Sequence, residues 1–149
     1  MKNLIEVEVK NVIVVKDEHN ESSFLVILAE KEGNKVLPIS VGLFEAQAIA
    51  RAKEGIKTER PLTHDLIVNI FKELELKVEK IVINDLINDV FYARIIVRKD
   101  DKILSIDARP SDSIAIAILA NVPIFVSSSV MERAGEESPP PESDEDLEA

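Results

Sequence analysis

The tightest constraint on the fold of this chain is that a strand-to-helix unit occurs in it twice. Sliding the sequence against itself by 67 residues lays Phe24–Ala50 over Phe91–Ala117 without a gap, and seven of the 27 aligned positions are identical. They include Lys35/Lys102, Leu37/Leu104 and Ile39/Ile106, and the run Ala48-Ile49-Ala50 against Ala115-Ile116-Ala117. Glu45 falls on Asp112, a conservative exchange. The sharper copy is Ile106 to Asn121, IDARPSDSIAIAILAN, which packs two acids, an arginine, a helix-starting proline and an apolar helix into sixteen positions.

Hydrophobic periodicity around this unit predicts strands over Leu4–Val15, Ser23–Ala29 and Lys35–Val41, where Val and Ile dominate and polar turns intervene. Pro38 marks the third strand as an edge or a bulge, since proline lacks the N–H a sheet ladder needs. Leu43–Ala52 switches to helical composition, with Gly55 as its stop. After a linker over Glu54–Glu59, a second helix runs to about Leu76, its Leu66, Ile67, Ile70, Phe71 and Leu74 forming an amphipathic stripe. Thr63 is its expected N-cap, and Asp65 suits the dipole in its first turn.

The second half repeats the order. Strands are expected over Lys77–Ile83, Phe91–Arg98 and Lys102–Asp107, with turns at Asn84–Val90 and Lys99–Asp101. A helix starts at Pro110 and ends near Asn121. Its Ile114–Ala120 run is apolar on every side, which predicts burial between layers. A short extended segment, Pro123–Ser127, precedes a serine-capped helix over Ser128–Ala134. Strand triplets followed by helices imply hairpin pairing and an α+β architecture. The expected fold is a duplicated βββαα unit, about residues 4–76 and 77–134, within one domain over 1–134. Its strands are expected to join in one curved, barrel-like, mainly antiparallel sheet with the helices packed outside.

Charge bears on function once it is divided. The 149 residues carry a net charge of −10, but seven of the 28 acids lie between Glu136 and Glu148 with no base among them. Residues 1–135 keep 21 acids against 18 bases, a net of −3. The acidic, proline-rich 135–149 segment has the composition of a disordered tail. A body at −3 lacks the broad basic surface usual in nucleic-acid binding and leaves room only for a local patch. The chain has no cysteine, which excludes disulfides and thiolate metal sites. No apolar run approaches the ~20 residues of a membrane span, and a cytoplasmic location is expected.

Phosphate-loop, dinucleotide-loop, zinc-protease and nucleophile-elbow motifs are absent. His19 sits in a polar turn and reads as a solvated loop residue. Two polar clusters remain, each beside an Arg-Pro pair at a helix start. In the first, Arg60, Thr63, His64 and Asp65, an imidazole beside a carboxylate offers acid–base chemistry near neutral pH, and Arg60 suits a phosphate or carboxylate. Helix capping and ion pairing account for the same residues. In the second, Asp107, Arg109, Ser111 and Asp112, Asp107 ends a strand expected to be buried and needs a partner, for which Arg109 is nearest. Asp112 and Glu45 are able to face one another across a pseudo-twofold axis and hold a divalent cation. An ion-pair network pinning strand ends to helix starts is the alternative.

Leu37–Ile49 (LPISVGLFEAQAI), Arg60–Leu66 (RPLTHDL), Phe91–Ile95 (FYARI) and Ile106–Ala117 (IDARPSDSIAIA) together resemble the bifunctional nuclease domain family, over roughly residues 3–134. The resemblance implies the duplicated βββαα fold on a barrel-like sheet, and cleavage of DNA and RNA, the activities of plant members. It marks positions but brings no mechanism. On that basis the expected catalytic residues are His64, Asp65, Asp107 and Asp112, and the expected substrate contacts are Arg60, Thr63, Arg109 and Ser111. Glu45, Asp107 and Asp112 are the candidates for holding Mg²⁺ or Mn²⁺. The competing expectation is a non-enzymatic, oligomeric module that binds a small molecule or anion, or regulates. An apolar-rich duplicated domain favours a homodimer or higher homo-oligomer in either case.

Overall fold

A computed structural model describes residues 3–137 and 145–146. The first half forms β1 (Leu4–Lys16), β2 (Ser22–Glu30), β3 (Lys35–Val41), α1 (Leu43–Glu54) and α2 (Thr63–Glu73). The second forms β4 (Lys77–Ile87), β5 (Val90–Lys99), β6 (Lys102–Ala108), α3 (Pro110–Ala120), β7 (Ile124–Ser127) and α4 (Ser128–Ala134). Two-residue strands β8 (Glu136–Glu137) and β9 (Glu145–Asp146) follow. Shifting β3 and α1 by 67 residues puts them on β6 and α3, so the repeat seen in the sequence is a repeat of structure.

The strands lie in the order β6-β5-β4-β7-β1-β2-β3-β8, with β9 paired off this path to β1. Every pairing is antiparallel except β4 with β7. The two triplets therefore flank β7, which pairs Ile81–Ile83 on one side and Leu4–Val7 on the other. This is an open mixed sheet, neither closed nor curled into the barrel expected from the duplication. Closure needs the outer strands to hydrogen-bond to one another. Here β3 instead meets Glu136–Glu137, and Lys102–Ser105 of β6 are exposed on both faces. Among the described residues, Pro38 sits where β3 has no partner beyond β2, because β8 reaches only Lys35 and Val36.

The core follows the strand alternation. Val26, Leu28, Leu37, Ile81, Ile83 and Val97 pack with Ile49, Val68, Ile114, Ile116 and Met131 of the four helices in one cluster. Ile13, Ile27 and Val36 form a small second cluster on the opposite face of β1–β3. As its sequence predicts, α3 is the central helix, touching α1, α2, β4 and β5, with Ile114 through Ala117 buried. It ends at Asn121 in the left-handed conformation.

Several boundaries differ from expectation for local reasons. β4 continues through Asn84 to Ile87, carried by bulges at Val78/Lys80 and Ile83/Asp85. The turn is only Asn88-Asp89, both at positive φ (51° and 64°), which suits a two-residue hairpin of the primed type. α2 ends at Glu73, not near Leu76, because Glu75 turns left-handed (φ 58°) and the Leu76 N–H donates back to the Phe71 carbonyl at 2.8 Å. Beyond α4, β8 pairs with the start of β3 and β9 with β1. Residues 138–144 and 147–149 lie outside the described residues. No helix among the described residues is long and apolar enough to cross a membrane.

Candidate active site

Three helix starts converge on one cleft. α1 and α3 begin at equivalent turns after β3 and β6, and α2 begins where the linker returns. Each carries an acid at its third helical position: Glu45, Asp112 and Asp65. There the exposed N–H groups and the helix dipole favour negative charge. Asp65 stays local, since its Oδ2 accepts the Leu62 N–H at 2.9 Å. The N-cap of α2 is thus Leu62, and Thr63, expected in that role, is the first helical residue.

Asp112 reaches outward and joins the two clusters that the sequence kept apart. Its Oδ1 lies 2.8 Å from Nε2 of His64, 48 residues earlier. Its Oδ2 accepts from Nε of Arg109 at 2.9 Å, and Nη2 of Arg109 reaches Oδ1 at 3.3 Å, a fork-on-carboxylate pair. The remaining Nη1 of Arg109 donates to Oε2 of Glu45 at 3.1 Å. One chain of contacts therefore runs His64–Asp112–Arg109–Glu45 across the starts of α2, α3 and α1. The His64 side chain is only 13% exposed, against 63% for Arg109.

Arg109 can reach sideways because Pro110 fixes the first turn of α3 and needs no N–H there. The Arg109 backbone is extended, and its carbonyl takes the Ser113 N–H at 3.0 Å and the Ser113 hydroxyl at 2.9 Å. Electrostatics follow the contacts. Partial burial works to raise the Asp112 pKa, but hydrogen bonds from Arg109 and His64, with their charges, outweigh it and hold the carboxyl below its usual range. Arg109 is raised above its ordinary value, first by its hydrogen bond to Asp112.

The cleft beside this chain has a volume of about 510 Å³ and is walled by Phe44, Ala48, Arg51, Leu62, Thr63 and His64, together with the paired acids and Arg109. Arg51 carries no motif in the sequence, and its repeat equivalent is Ile118. Yet it brings a second guanidinium to the wall, with Nε buried and without a hydrogen-bond partner among the described residues. Arg109 and Glu45 also line a second cleft of about 370 Å³, shared with Phe91, and Ser111 opens there. Arg60 is exposed, and its carbonyl accepts the Thr58 hydroxyl at 2.5 Å.

Asp107 departs most from expectation. It is exposed, not buried, because β6 is an outer strand, and Arg109 pairs with Asp112 and Glu45 in its place. As metal ligands the expected trio does not fit. Asp107 stands apart, and Glu45 and Asp112 do face one another but share a guanidinium. Among the described residues no group of three or more His, Asp and Glu is arranged to hold a metal.

The repeat carries this polar centre once only. The position equivalent to Arg109 is Gly42, and the one equivalent to His64 is Met131, which is buried. A duplicated α+β scaffold with a single His–Asp–Arg–Glu centre at its helix starts is the class of protein that the fold defines. Residues 26–139 match the family model of the bifunctional nuclease domain, and the chain belongs to that family. An uncharacterised protein of Mycobacterium tuberculosis is 39% identical over 124 residues, covering 83% of this chain and 74% of that protein. Bifunctional nuclease 1 of Oryza sativa subsp. japonica is 26% identical over 109 residues, 71% of this chain but 33% of the rice protein.

Proposed function

We propose that this chain is a nuclease hydrolysing phosphodiester bonds in DNA and RNA, with His64 as its acid–base group. The observation that carries the reading is the 2.8 Å contact of His64 Nε2 with Asp112 at the wall of a cleft that also holds two guanidinium groups. Asp112, held ionised, can only accept, so Nε2 carries the proton it receives and Nδ1 is left as the basic nitrogen. In the reaction Nδ1 removes a proton from an attacking water or hydroxyl, oxygen bonds to phosphorus, and the departing oxygen takes the proton back. Arg51 and Arg109 stabilise the charge that grows on the phosphoryl oxygens. The distant kinship with the rice nuclease supports the substrate class.

The test is cleavage of single- and double-stranded DNA and RNA, with EDTA and with Mg²⁺ or Mn²⁺, by parent, His64→Ala and Asp112→Asn proteins purified identically. Loss in both variants while they remain folded supports the proposal. Equal activity in all three, or none in any, overturns it.

A second reading, a non-enzymatic module that binds an anion or regulates, is favoured by one observation. Arg109, Asp112 and Glu45 already satisfy one another without a ligand. On this reading Arg109→Ala chiefly lowers the melting temperature, and nucleic acid is left uncut.

A further inference from the structure

We propose that the outer ridge of α2 is a self-association face, through which two copies of this chain pack antiparallel about a twofold axis. The apolar stripe of α2 is wider than the core covers. Ile67, Val68 and Phe71 turn into the core. Leu62, Leu66, Ile70 and Leu74, spaced four apart, form a continuous row beside them, on the solvent-facing border of the stripe, and are 40%, 52%, 44% and 54% exposed. The row does not stop at the helix. Phe44, 78% exposed, shares the candidate cleft with Leu62, and Ile56, 48% exposed, shares a smaller crevice with it.

Size and charge both point to a second copy. With full exposure near 180 Å² per side chain, these six leave roughly 600 Å² of apolar surface open, at the top of the range for the largest patch on a monomer. A standard interface covers about 800 Å² on each partner, somewhat over half of it apolar, so this patch supplies what such an interface needs. Rows of residues four apart interdigitate when two helices pack. A twofold axis through the midpoint of the row sets Leu66 against Ile70 of the other copy, and Leu62 against its Leu74. The same operation brings Arg60, exposed and without an ion pair among the described residues, to the end of the other helix that carries Glu73 and Glu75. Each Glu73 then approaches the positive N-terminus of the opposite α2. This gives Arg60 a role that the candidate cleft does not.

Sedimentation equilibrium over a concentration series tests the face directly. The parent is expected at twice the chain mass of 16.6 kDa, and Leu66→Glu/Ile70→Glu, which sets like charges against one another across the axis, at the single-chain mass with its melting temperature retained. A parent at single-chain mass, or a variant that keeps the doubled mass, overturns the inference. Because the chain has no cysteine, a mixture of Leu66→Cys and Ile70→Cys chains gives a check that needs no disruption. Mild oxidation is expected to link them into a covalent pair, and a mixture that stays unlinked overturns the arrangement. Both readouts are taken without substrate, so they stand or fall separately from the nuclease reading.

Discussion

Glu45 and Asp112, 67 residues apart and at the same position of sister helices, are joined through a single guanidinium. Nη1 of Arg109 lies 3.1 Å from one carboxylate and Nε 2.9 Å from the other. Duplication left two acids facing each other, and one arginine, at a position that is glycine in the first repeat, holds them together. Arg109→Ala removes the cation that both carboxylates share. It is expected to cost about 1–2 kcal/mol, mostly as repulsion and unpaired acceptors. Thermal melting at low and high salt checks this, with salt recovering part of the loss.

Asp112 gives the fold a defined acid sensitivity. Its folded pKa is depressed, so its contribution is fully present above the unfolded carboxylate value near ~3.9 and is lost as pH falls through the lower folded value. Denaturation followed from neutral pH downward is expected to show the parent losing more stability below about pH 4 than Asp112→Asn does. Identical acid profiles would remove Asp112 from any such role.

If His64 is the acid–base group, replacing it costs rate more than stability. His64→Ala is expected to lower phosphodiester cleavage about 10²-fold or more. Its unfolding free energy should fall by only about 1 kcal/mol, the net worth of one hydrogen bond. Initial rates and denaturant melts on the same preparation separate the two effects.

α3 is where the fold is least tolerant. Ile116 is 1% exposed and sits where α3 meets the sheet, so Ile116→Ala is expected to cost about 2–5 kcal/mol through lost burial and an unfilled cavity. The equilibrium urea midpoint measures it. A loss under 1 kcal/mol would mean that the site collapses around the smaller side chain.

The hairpin at Asn88-Asp89 offers a gain. Both residues hold positive φ, and an Asn-Gly pair adopts that turn with less strain. Asp89→Gly is therefore expected to stabilise by up to about 1 kcal/mol, read as a raised melting temperature.

Local pattern carried much of this fold. The strand over Lys35–Val41, the apolar helix after Arg109 and the helix over Ser128–Ala134 fall where periodicity and caps placed them, because short-range rules govern them. What could not be read was nonlocal. An apolar strand such as β6 looks buried until its position at the sheet border is known, which is why Asp107 was expected to need a partner. Open or closed is a property of the two outermost strands, and repeat symmetry alone pointed to closure. His64 and Asp112 stood out separately for their chemistry, but their contact spans 48 residues and no spacing announces it. Arg51 gave no signal at all, since only the three-dimensional cleft distinguishes it from any helix-end cation.

The placement of β7 has a consequence for how the molecule comes into being. The two strand triplets never pair with each other, and four residues, Ile124–Ser127, stitch them together. A nascent chain must therefore hold both half-sheets with unfilled borders until those residues emerge from the ribosome. The two half-sheets are thus joined late, and a holdase or protease that competes for the chain has its opening before Ile124–Ser127 emerge.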